Sequence, residues 1–231
     1  MTPDALAQLI EATWPPARAW RQSPFTLRDG ADGGKRVAAA SCEGEWTDAD
    51  ITAVELAMAD PLILIRAGDE VLDAALHARG WRLVDPVVAY SAPVEHLRAE
   101  LAPLAVFPHW PPLQIARSIW EEGGIGPTRI AVMERVTGAK CALLARHADR
   151  PAGVAFVASV GPDAMLHALE VRPHLRRNGV GGVLLHAAAN WASSQGATRL
   201  SLVVTAQNAA ARTLYARLGM QGVGHYHYRM K

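Results

Sequence analysis

Along the chain, apolar residues recur first at helical spacing and then in short runs or alternation, and this exchange repeats to the end. Residues 4–13 read as a helix closed by Pro15-Pro16. Residues 25–28 and 35–42 read as strands on either side of the turn DGADGG. Thr47 with Asp50 marks a helix start, and 48–58 supplies that helix. Residues 62–65 form a short apolar strand, 69–78 a helix stopping at Gly80, and 81–91 a strand that Pro86 places at an edge or a bulge. The proline-rich stretch 92–112 reads as a linker. Helices at 113–122 and 127–136 follow, then a hairpin of 141–146 and 154–160 and a strand at 165–171. A glycine-rich turn at 178–182 opens a helix from 183 to about 195. A strand at 200–205, a helix at 208–218 stopped by Gly219, and a strand-like end GVGHYHYRM complete the chain.

The two halves resemble each other. LDAALHARGWRLVDPVVAY aligns with ARTLYARLGMQGVGHYHYR, Gly80 on Gly219, and 62–65 falls opposite 201–204. The order strand, helix, glycine, strand is common to both, and implies two related lobes.

Composition narrows the class. Of 231 residues 50% are hydrophobic, enough for a sizeable core, and the formal net charge of +1 gives no global attraction to nucleic acid or an anionic membrane. The two cysteines, Cys42 and Cys141, make neither a disulfide framework nor a zinc site. The N-terminus is acidic rather than signal-like, and no stretch is long enough to span a bilayer, so a soluble cytoplasmic protein is expected.

The candidate chemistry lies in VRPHLRRNGVGGVLL, 171–185. Gly179, Gly181 and Gly182 let consecutive amides converge, and the helix N-terminus adds partial positive charge. The result suits a pyrophosphate, with Arg176 and Arg177 adding charged donors. A Walker loop would need Gly-Lys-Ser/Thr, and no lysine lies here. A dinucleotide fingerprint would need a small residue at Leu184 and an acid where Thr205 and Gln207 stand.

The spacing of Val171, Pro173, Arg176, Gly179 and Gly181 resembles the acetyl-CoA motif of the GNAT N-acetyltransferase superfamily. Asn208, Ala211, Leu214, Tyr215, Gly219 and Met220 are similar to its downstream signature. The resemblance covers about 110–231 well, and the first hundred residues only through the repeat. It implies an α/β (α+β) GNAT fold, a mixed and mostly antiparallel sheet flanked by helices, with a catalytic domain at 104–231. A smaller, degenerate lobe at 1–98 precedes it, without the arginine–glycine loop and with acidic residues in its place.

The resemblance also implies direct acetyl transfer from acetyl-CoA to an amine: a small molecule, an amino acid or a peptide N-terminus. Cofactor contacts fall on Leu169, Glu170, Val171, Arg176, Arg177, Asn178, Gly179, Val180, Gly181, Gly182, Asn208 and Tyr215. The pantetheine arm would lie where strands 165–171 and 200–205 splay. Tyr215 would protonate the departing thiolate. The general base stays open between His167 and Glu170. Met165 stands where some family members carry a carboxylate; His167 shares its strand face, and Glu170 falls on the other face unless the strand is bulged. His225 and His227 read as ordinary strand residues, and no metal is expected. Trp110 and Trp120 are candidates for the acceptor wall. No nucleic acid or membrane partner is expected, and the chain is a monomer or a homodimer. A non-enzymatic acyl-CoA-binding module is the competing reading, and a nucleotide-binding protein the third.

Overall fold

The computed structural model describes residues 1–231. Helix α1 (Pro3–Thr13) starts on a Thr2 cap. It is followed by β1 (Arg18–Gln22), β2 (Phe25–Asp29), a one-turn α2 (Lys35–Ala38), β3 (Ser41–Cys42) and α3 (Asp48–Ala57). Next come β4 (Leu62–Arg66), α4 (Glu70–Ala78), β5 (Arg82–Pro93), a short α5 (Val94–Leu97), β6 (Val106–His109), α6 (Gln114–Glu122) and α7 (Pro127–Arg135). The chain ends with β7 (Lys140–His147), β8 (Arg150–Val160), β9 (Asp163–Val171), α8 (Val180–Ser194), β10 (Arg199–Thr205), α9 (Ala209–Arg217) and β11 (Gln221–Met230). No helix is long and apolar enough to cross a membrane.

Two expectations are corrected, and the choice left open at Pro86 is decided. Residues 35–38 turn as a helix, and only Ser41–Cys42 of that stretch is strand. Residues 92–112 are not a bare linker: α5 packs against α8, and β6 is the outer strand beside β7. Pro86 does not sit at an edge, because β5 lies between β10 and β11. It is accommodated by a bulge, where β5 spends three steps from Val84 to Val87 against two from Tyr226 to Tyr228.

Eight strands pair in the order β4-β11-β5-β10-β9-β8-β7-β6, all neighbours antiparallel except β9 with β10. A small sheet β1-β2-β3 joins this one through a parallel bridge, Ala40 to Ile63. The sequence repeat becomes a pseudo-twofold axis between Val87 of β5 and Tyr226 of β11. The offset that lays Gly80 on Gly219 also lays the pair Arg66–Tyr226 on Thr205–Val87, and Leu62–Met230 on Ser201–Ser91. It lays the bridge residue Ile63 on Leu202, the last residue of β10 paired with β9. Each half therefore lends its last strand to the other half's sheet. Gly80 and Gly219 end α4 and α9 at φ of 82° and 81°, a left-handed backbone suited to glycine.

Helices cover both faces. On one, α8 and α9 bury a core containing Leu143, Val157, Leu184, Leu202 and Tyr215. On the other, α1, α6 and α7 bury Trp14, Trp120, Met133, Val154 and Phe156.

Candidate active site

The parallel pairing of β9 with β10 stops at Leu166–Leu202, although both strands run on to Val171 and Thr205. Past that point they splay and leave a notch. Beyond the notch, Pro173–Leu175 makes a tight turn, Arg177 and Gly179 take left-handed φ of 68° and 79°, and α8 begins. None of the amides from Arg177 to Gly182 donates to an acceptor within the chain; the first bond of the new helix is Val183 N to Gly179 O at 3.1 Å. Residues 176–179 are exposed. Six consecutive unpartnered donors at a helix N-terminus, beside two arginines, have the chemistry suited to an anion. Asn178 holds the loop's shape by donating to the carbonyls of Leu175 and Arg176, each at 3.3 Å. Arg176 folds back, its Nε donating to Val171 O at 3.1 Å. A side chain at Gly181 would meet Leu214 of α9 at 3.1 Å, so glycine lets the two helices close over the loop.

One side of the notch is bulged. Val154 faces Glu170 and Phe156 faces His167, so β9 carries an extra residue, with Ala168 at φ 49°. Trp120 Nε1 donates to the Ala168 carbonyl at 2.7 Å and pins the bulge. Val154 and Phe156 share one core layer, so their partners Glu170 and His167 lie on the same sheet face, that of α6 and α7. Leu169 and Val171 pack toward the α8 side.

The two candidate bases differ in environment. His167 is 4% exposed and fully engaged. Its Nε2 lies 2.9 Å from Thr13 Oγ1, which already donates to Leu9 O at 2.6 Å, so Nε2 carries the proton. Its Nδ1 lone pair accepts from Arg36 at 3.1 Å, and the ring stacks on Trp14. Burial, then the Arg36 charge, pushes its pKa well below the ordinary value. A base needs a free lone pair and a path to substrate, and His167 has neither. Glu170 is half-buried and makes no hydrogen bond or ion pair in the chain. Burial raises its pKa, opposed by Arg176 and Arg129. Its side chain packs against Gly123 at the end of α6, where an added Cβ would come within 2.6 Å of the carboxyl carbon. Arg172 ties the same end of α6 to β9 through Glu122, at 3.0 and 2.8 Å.

Across the notch, Tyr215 of α9 is 6% exposed, with its ring 5.7 Å from that of Tyr90. Its hydroxyl has no hydrogen-bond partner in the chain. Burial, then the nearby Glu170 carboxyl and Tyr90, pushes its pKa up to about 12, so the phenol stays protonated near neutral pH. Asn208 caps α9, its Oδ1 accepting from Ala211 N at 3.1 Å, which leaves its amide nitrogen free on the exposed rim.

Other residues stand elsewhere. Trp120 is fully buried and serves the bulge, not an acceptor wall, whereas Trp110 is half-buried under Lys140. His227 is 2.7 Å from Asp73, which also takes two bonds from Arg229. Gly123, Trp120 as bulge anchor, Arg129 and Tyr90 form the site's surroundings without a motif that marks them in the sequence.

The family model described as Acetyltransferase (GNAT) family matches residues 94–220. No curated protein matches the chain by sequence. Among solved structures, the fold is similar to a GCN5-related N-acetyltransferase from Kribbella flavida (TM-score 0.73, 16% identity, 99% of this chain and 95% of that one). It is also similar to a putative GNAT-family acetyltransferase from Novosphingobium aromaticivorans (TM-score 0.62, 13% identity, 100% and 98%). A tandem GNAT protein from the clavulanic acid biosynthesis pathway follows (TM-score 0.61, 15% identity, 90% and 77%). With a family match over more than half its length, carrying the loop, the splayed strands and the α9 tyrosine, the chain belongs to the GNAT acetyltransferase family.

Proposed function

We propose that the protein transfers an acetyl group from acetyl-CoA directly to an amine. The observation that carries this reading is the row of unpartnered amides from Arg177 to Gly182, set just past the splay of β9 and β10. The diphosphate rests on those amides with Arg176 and Arg177 alongside. The pantetheine arm adds to the open edge of β9 at Leu169–Val171, and Asn208 holds it from the rim. The amine approaches on the Glu170 side. Its nitrogen attacks the thioester carbon, the N–C bond forms, and the carbonyl π pair moves to oxygen, where a strand amide at Glu170 or Val171 stabilises it. The amine proton passes to Glu170, directly or through one water. As the C–S bond breaks, the sulfur keeps the electron pair and takes its proton from Tyr215. Neither thiol takes part: both are buried, and burial pushes Cys141 up to about 11.

The first half, 1–98, is best read as a lobe that keeps this fold without its cofactor site, ahead of a catalytic domain at 104–231. Leu76 stands where the second half has Tyr215. In place of the open splay, Arg66 reaches from β4 to the Cys42 carbonyl of β3 at 2.8 Å. The test is calorimetric titration with acetyl-CoA, followed by an amine library scored by thiol release. One acetyl-CoA per chain and acetylation of at least one amine class are expected. Binding without any acetylated amine would favour the non-enzymatic module, and no binding would end both readings.

A further inference from the structure

A cavity of about 670 Å³ lies between α1, β3, the end of β4 and the middle of β11, within the usual size range of small-molecule pockets. Glu170, Tyr215 and Asn208 do not line it, so it is separate from the notch of β9 and β10. Its walls include Leu6, Ile10, Trp14, Leu64 and Leu72.

Four carboxylates and three arginines line it, and every one of them except Arg36 has an ion-pair partner, Arg66 being shared by two carboxylates. Arg28 pairs with Glu11 at 2.8 Å, Arg66 with Asp4 at 3.3 Å and Asp69 at 3.5 Å, and Glu43 pairs with Arg21. Arg36 has no carboxylate within ion-pair distance; it donates one bond to His167, and its Nε is buried without an acceptor. Tyr226, 5% exposed, is also among the lining residues. Buried polar groups are rarely left unpaired, and a charged one least of all.

The pseudo-twofold axis gives the cavity its ancestry. It opens where β3 and β4 part after the Ala40–Ile63 bridge, the counterpart of the notch past Leu166–Leu202. Here the bond from Arg66 to Cys42 O covers the strand edge, so an extended arm has no backbone to pair with. A compact ligand still fits. One free guanidinium suits one negative charge. A dianion would need a second cation, and the others are already neutralised by carboxylates that repel it.

We infer that this cavity is a second small-molecule site, taking a compact monocarboxylic acid whose carboxylate pairs with Arg36 and whose apolar body lies along α1. The inference stands on the cavity alone, whether or not the other notch binds acetyl-CoA.

Calorimetric titration of the full chain with 4-phenylbutyrate, octanoate and the neutral 4-phenylbutyramide tests it. At least one acid is expected to bind, with the amide about tenfold weaker or worse. Arg36→Gln is expected to lose about tenfold or more in acid affinity. Because Arg36 also holds His167, a second variant is needed. Ala7→Trp, at a half-exposed position of α1 on the cavity wall, fills the space without touching Arg36 and should abolish binding. Circular dichroism establishes that each variant is folded. Failure of both acids to bind the wild type overturns the inference. So does equal affinity for acid and amide, or wild-type affinity in whichever variants fold.

Discussion

Replacing Tyr215 by Phe separates chemistry from binding. The ring stays in its layer against Tyr90, and the lost hydroxyl has no partner in the chain. Removing it orphans no donor or acceptor and relieves a desolvated phenol, so stability should change by no more than about 0.5 kcal/mol. Turnover should fall much further. General acid catalysis contributes roughly 10²–10⁴-fold. The lower end applies here, because a phenol at about 12 holds its proton more tightly than a thiol of ordinary pKa, about 8.5. Transfer of that proton to the departing sulfur is then uphill, which limits what the acid contributes. A loss of about 10²-fold in kcat corresponds to about 2.7 kcal/mol of transition-state stabilisation. The assay follows thiol release with an amine found in the library screen, alongside calorimetry for CoA. A variant with kcat within twofold of wild type, or one whose CoA affinity falls in step with kcat, would refute the assignment.

Four further outcomes follow from the site and its surroundings. Glu170→Gln should lower kcat/KM by about 10²-fold. Wild-type activity should fall as pH drops through the raised Glu170 pKa, and the variant should lack that acidic limb in a pH–rate profile. Gly179→Val forces a β-branched residue to φ 79° at the mouth of the loop, so KM for acetyl-CoA should rise tenfold or more, read from initial rates. Arg229 and then His227 hold Asp73 at about 2 rather than 3.8, so its contribution is present above pH 4 and disappears as pH falls through about 2. Asp73→Asn should therefore cost about 1–2 kcal/mol in urea unfolding at pH 7 and almost nothing near pH 2. Replacing Cys42 and Cys141 together by Ala should leave turnover per folded molecule unchanged, and abolished turnover in a folded variant would reveal a covalent route.

Sequence pattern reached the glycine loop and the α9 tyrosine as candidates because each is local, whereas the splay of β9 from β10 was implied only by the family resemblance. Glycines at 179, 181 and 182 need no partner to free their amides, and Asn208 to Met220 is one helix and its stop. The choice between His167 and Glu170 stayed open for a physical reason. Period-two alternation assigns His167 and Glu170 to opposite faces, and a single extra residue at Ala168 reverses the relation. That bulge is fixed by Trp120 from a helix nearly fifty positions away, a contact no window of sequence contains. The helix at Lys35–Ala38 was hidden similarly, since its one buried residue, Val37, packs against Gly30, Gly33 and the α6–α7 layer. The alignment of the two halves carried no sign that the closing strand of each pairs with the other half.

That trade bears on how the molecule is made. Both sheet partners of Arg82–Pro93 come from the last third of the chain. While the ribosome is still producing the middle, this strand, with its run VVAYSA, has neither edge covered. Its hydrogen bonds must wait for residues 199–230, so the nascent polypeptide carries a bare, sticky ribbon through most of its synthesis.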